Sequence, residues 1–184
     1  MQTSSLSFIE SLKSKLLEFP ALVDSLKNKD YNFLVLLESW MKETETILKN
    51  NKISECAVIA GYRSKIIAPL FAESQKRSMK KRQLQMASEV LFELQGTIIS
   101  VIKPFEVKVE EARDLLIHLL SILKQSGAIK YTDSTDFQDF ITNIWKLFST
   151  HEQLKPSTVK ILTLVSQMDA LRIMAEEINL SEWR

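Results

Sequence analysis

Apolar residues recur along this chain at intervals of three and four, the spacing of one face of an α-helix. Ser7-x-x-Glu10 matches a capping box, and Leu12, Leu16 and Phe19 follow it, predicting a first helix to about Phe19. Pro20 interrupts that pattern, leaving a short second piece from Ala21 to Lys27 before a break at Asn28-Lys29-Asp30. Phe33, Leu34, Leu37, Trp40, Met41, Thr44 and Leu48 then form one stripe that ends at Asn50-Asn51. Between Ile53 and Gln75 the apolar positions are Cys56, Ala60, Ile66, Ile67, Leu70 and Phe71, with Pro69 either kinking the segment or opening a new helix.

From Leu84 the spacing becomes heptad-like through Ala87, Leu91, Leu94, Ile98, Val101 and Phe105. Ala112, Leu115, Leu119 and Ile122 continue it beyond Lys103-Pro104. Lys108 falls on the seam, so the pattern predicts two long helices whose register resets at the proline, the second ended by Gly127. Thr135-x-x-Gln138 is a further capping-box match ahead of Phe137, Phe140, Ile141, Ile144, Leu147 and Phe148. Pro156-Ser157-Thr158 opens a last helix with Ile161, Leu164, Val165, Met168, Leu171 and Ala175 facing inward and Ile178 closing it. The expected fold is all-α: an antiparallel bundle of about six to eight helices, some kinked at Pro69 and Pro104.

Composition narrows the function classes. A chain of 184 residues fits a single helical-bundle domain over 1–184. Three glycines, Gly61, Gly96 and Gly127, lie too far apart for a phosphate-cradling loop, so no nucleotide cofactor is expected. The one cysteine, Cys56, rules out an internal disulfide and suits a reducing cytoplasm. The greasiest run, Leu115 to Leu120, falls well short of the ~18–20 residues that span a bilayer, and residues 1–20 lack the shape of a secretory signal. Net charge is +1, but residues 61–104 hold eight basic and three acidic residues, whereas residues 105–184 hold nine and twelve.

The basic middle concentrates in Lys76, Arg77, Lys80, Lys81 and Arg82. On a helix, Lys76 with Lys80 and Arg77 with Lys81 are i,i+4 neighbours whose like charges repel unless an anion is near. One reading is a phosphate-binding face; without interleaved aromatics, the competing one is a solvated helix surface.

Arg113-Asp114-Leu115-Leu116-Ile117-His118 places an arginine and a histidine around four intervening residues inside a predicted helix. These six residues resemble the short motif of the HEPN family of helical ribonucleases. The resemblance implies metal-independent RNA cleavage, commonly at a dimer interface, with His118 as general acid or base and Arg113 holding the phosphate. Five residues at ~100° each set the two side chains about 140° apart around the helix, so only their length would bring them together. Against this stands an ordinary helix surface on which Glu110 pairs with Arg113 and Asp114 with His118.

A di-iron centre is not expected, because Leu115 and Phe148 occupy the positions three before His118 and His151, where a Glu-x-x-His site needs glutamate. Glu106, Glu110, Glu111 and Asp114 read as a solvated helix start, and no metal is assigned. His151 reads as structural, Cys56, Trp40 and Trp145 as core, and Trp183 as docking on its own chain. The first functional expectation is therefore a non-enzymatic protein-interaction or oligomerisation module, with a homodimer through the Leu84–Ile122 helices as one form. The alternatives are a HEPN-like ribonuclease using Arg113 and His118, and a nucleic-acid-binding or regulatory module using the Lys76–Arg82 stretch.

Overall fold

A computed structural model describes residues 4–68, 76–132 and 135–183. The chain is an all-α helical bundle, with seven α-helices and no strand among the described residues. They are α1 (Ser5–Lys27), α2 (Phe33–Asn50), α3 (Cys56–Ile67), α4 (Lys76–Ser126), α5 (Phe137–Thr150), α6 (Lys155–Leu164) and α7 (Gln167–Glu177), followed by a 3-10 turn at Leu180–Glu182. The backbone forms two compact units, one of Ser7–Pro104 and the other of the segment through Leu6 together with Phe105 onward.

In the Ser7–Pro104 unit, α2 packs on α3, and of the predicted α2 stripe Phe33, Leu37, Trp40, Met41, Thr44 and Leu48 are buried while Leu34 is half-buried. Buried Leu12, Phe19 and Leu22 of α1 and Ala87, Leu91, Leu94 and Ile98 of α4 complete this core. Each such large side chain contributes about 1.5–3 kcal/mol by leaving water. The Trp40 indole N–H donates to the Lys15 carbonyl at 2.9 Å, so its polar edge is satisfied as it is buried. Leu70 and Phe71, expected to be apolar core positions, and Pro69 lie outside the described residues.

In the other unit, α5, α6 and α7 pack against one another. Trp183 is 6% exposed, its ring centroid 5.6 Å from that of Phe140, and its carbonyl accepts the Tyr131 N–H at 2.7 Å. The terminal tryptophan thus docks on its own chain. Asp169, 1% exposed, accepts from the Ser4 hydroxyl at 2.5 Å, the Ser5 N–H at 2.9 Å and the Ser166 hydroxyl at 2.8 Å. A buried carboxylate is tolerated only when hydrogen-bonded in this way, and here it caps α7 and the first turn of α1 together.

Four predicted boundaries move. Helix α1 runs through Pro20, which is exposed, because buried Phe19 and Leu22 hold the turns on both sides. The same helix begins at Ser5 rather than at a Ser7 cap, since Asp169 takes the Ser5 N–H. Helix α5 is capped by Asp136, one residue after Thr135, with its carboxylate accepting from Gln138 N–H at 2.8 Å. The last predicted helix is two: α6 ends before Val165 and Ser166, and a Ser166–Asp169 capping box starts α7.

The largest correction concerns Lys103-Pro104. The two helices expected on either side are one 51-residue helix, α4, with Pro104 inside it. Its buried row runs Ala87, Leu91, Leu94, Ile98, Val101, then Val109, Ala112, Leu116, Leu119 and Leu123, with half-buried Phe105 between. Two successive steps of four, from Val101 to Phe105 to Val109, replace the heptad alternation there. That slip restores the natural 3.6-residue period, which moves the row off Lys108, Leu115 and Ile122 and onto their successors.

Candidate functional site

Helix α4 carries both sequence-predicted sites. The Arg113 side chain of α4 reaches the last residues of α7, and its guanidinium lies among three carboxylates. It donates to Glu176 at 2.8 Å and more closely to Glu177, and its Nε is 3.9 Å from Glu110. The hydrogen bond with Glu176, aided by that with Glu177 and opposed by partial burial, raises the Arg113 pKa further above its already high value. The Glu110 partner is the one expected of an ordinary helix surface; Glu176 and Glu177 lie on an element no local pattern connects to Arg113. An arginine with its donors on carboxylates has no free fork for a phosphate.

His118 is exposed and makes no ion pair with Asp114 among the described residues. The hollow nearest in sequence, of about 180 Å³, is lined by Ile117, Ser121, Lys124, Glu177 and Trp183 and includes neither Arg113 nor His118. Arg113 and His118 thus do not share this hollow. No group of three or more His, Cys, Asp or Glu among the described residues is placed to hold a metal ion.

Of the basic stretch, Lys80, Lys81 and Arg82 are exposed on the first turns of α4 and make no ion pair among the described residues. The side chains of Lys76 and Arg77 lie outside the described residues. Among the described residues, no carboxylate relieves the repulsion expected of these like charges at Lys80, Lys81 or Arg82.

A second surface on α4 was absent from the stripe reading. Phe92 is 66% exposed and Ile99 49%, seven residues apart on a flank of the helix, about 130° round from the buried row. The Phe92 ring is not isolated: its centroid is 6.5 Å from Phe19, whose ring meets Trp40 edge-on at 5.8 Å. A chain of aromatic contacts thus runs from the core of the Ser7–Pro104 unit to its surface. The signal was available in the sequence as apolar residues at i and i+7 on the polar side of the heptad.

No described helix is long and apolar enough to cross a membrane. No family model matches the chain, and no curated protein and no solved structure matches it either.

Proposed function

We propose that this chain is a non-enzymatic helical module that works through protein contacts, with self-association through the outer face of α4 as its form. The observation that carries the reading is the exposed Phe92–Ile99 row, continuous with the buried aromatics behind it. Leaving a phenylalanine two-thirds in water forgoes most of the ~1.5–3 kcal/mol its burial would provide, which a second copy restores. An i,i+7 row on one helix is self-complementary, so two copies related by a two-fold axis meet through the same residues. What supports this over a ribonuclease built on Arg113 and His118 is the engagement of Arg113 by Glu176 and Glu177.

Sedimentation of the full chain across a concentration series tests it. Wild type is expected to shift from monomer to dimer, and Phe92→Glu to remain monomeric with unchanged helicity. A wild type that stays monomeric into the high micromolar range would sink self-association. Lys80, Lys81 and Arg82, exposed and without an ion pair among the described residues, favour a second reading, an anion- or nucleic-acid-binding surface. Its mark is binding that weakens steeply with salt and falls in Lys80→Glu/Lys81→Glu, and salt-insensitive binding excludes it.

A further inference from the structure

In the Ser7–Pro104 unit a groove of about 440 Å³ lies between the α1–α2 turn and the beginning of α4. That volume is within the ~300–1,000 Å³ of small-molecule sites. Its walls are apolar, formed by Leu26, buried Phe33, Leu84 and the ring of Tyr31, a residue 79% exposed. Its charged groups are Lys29, Lys80 and Asp30. Asp30 is already committed to the turn, accepting the Asn32 N–H at 2.9 Å and the Ser25 hydroxyl at 3.4 Å. Neither lysine makes an ion pair among the described residues.

We propose that this groove binds a single-chain amphiphile with an anionic head, namely a free medium-chain carboxylate. The tail lies along Leu26, Leu84 and the exposed ring of Tyr31, where it removes apolar surface from water, and the head meets Lys29 and Lys80. Two lysines without ion pairs among the described residues outweigh the single Asp30 carboxylate, so the groove selects against a cationic amphiphile and against a neutral chain of the same length. Lys81 and Arg82, which follow Lys80 on α4, extend the positive field that attracts such a head. Beyond the three charged residues the lining adds the Gln85 amide, which already donates to Glu89 at 3.0 Å, so the multiple hydrogen-bonding groups of a nucleotide or sugar would find few partners there. The site is separate from the Phe92–Ile99 surface and does not depend on the self-association reading.

Calorimetric titration of the full chain with dodecanoate, held below its micellar concentration, decides the matter. Saturable one-to-one binding is expected, with no saturation by acetate and weaker binding of dodecanol. Lys80→Glu, an exposed position where folding is not at stake, is expected to weaken dodecanoate roughly tenfold or more through loss of a charge-assisted contact. Leu84→Trp, checked for retained helicity, is expected to fill the groove and abolish binding; if that variant unfolds, Lys80→Glu alone decides. Absence of saturable binding, equal affinity in wild type and Lys80→Glu, or saturation by an acidic helical peptide but not by dodecanoate would each overturn the proposal.

Discussion

Two lysines sit where helices normally end on glycine. Lys29 and Lys52 have φ of 55° and 58°, in the left-handed region, immediately after the ends of α1 and α2. The backbone bonds around them are those of paired helix-terminating turns: Asp30 N–H to Ser25 carbonyl and Lys29 N–H to Leu26 carbonyl, then Ile53 N–H to Leu48 carbonyl and Lys52 N–H to Lys49 carbonyl. The breaks at Asn28-Lys29-Asp30 and Asn50-Asn51 were readable, but the left-handed conformation was not, because lysine does not advertise it as glycine does. A non-glycine residue there costs roughly 1–2 kcal/mol, part of which glycine returns as unfolded-chain entropy. Lys29→Gly and Lys52→Gly are each expected to stabilise by about 0.5–1 kcal/mol, measured as a rise in urea midpoint. Lys29→Ala and Lys52→Ala, which keep the Cβ, should change little; destabilisation by both glycines would refute the strained-cap account.

Among the elements, α4 shows best what local signals convey and where they stop. Its apolar period was legible over forty residues, yet the proline inside it suggested a boundary that burial overrides. Val101 and Ile102 before Pro104 and Val109 and Ala112 after it are all buried, so both flanks are held by packing while the proline faces solvent. Pro20 in α1 is the same case. The division between α6 and α7 is the reverse: Ser166-x-x-Asp169 was a readable start signal, obscured by an apolar stripe that continues across it. Pro104 lacks the N–H that would donate to the Ser100 carbonyl, and an interior proline costs about 3 kcal/mol relative to alanine in an otherwise regular helix. Pro104→Ala is expected to raise stability by roughly 1–3 kcal/mol with no loss of ellipticity, since the exposed ring has little packing to forfeit. A lower melting temperature would mean that the proline itself shapes the native helix.

Across the whole molecule, function was less legible than fold because partners distant in sequence decide what a charged side chain is free to do. Arg113 and His118 look like a unit on one helix; Glu176 and Glu177, sixty-odd residues on, are what engage the arginine. The same long-range pairing sets the response to pH. Lys15 bonds Glu18 at 2.9 Å and Glu43 more closely, and Lys124 bonds Glu182 at 2.5 Å. Hydrogen bonds from Lys15, then Ser39, depress the Glu43 pKa below its ordinary 4.5, and the Lys124 hydrogen bond depresses that of Glu182. For Lys15, burial acts to lower the value, but the bonds to Glu43 and Glu18 together raise it above 10.5. Depressed carboxylates contribute stability that is complete above about 4.5 and is lost as pH falls through their folded-state values; the raised lysine contributes stability that is complete below about 10.5 and is lost as pH rises further. The urea midpoint is therefore expected to be level across neutral pH with respect to these groups and to fall on the acid side. Glu43→Gln should cost no more than about 1 kcal/mol at pH 7, the ordinary range for a pair with one exposed partner. The same variant should lose less than wild type between pH 7 and pH 3, because its contribution is already gone. Parallel acid limbs for the two proteins would show that the Lys15–Glu43 pair contributes nothing to the pH dependence of folding.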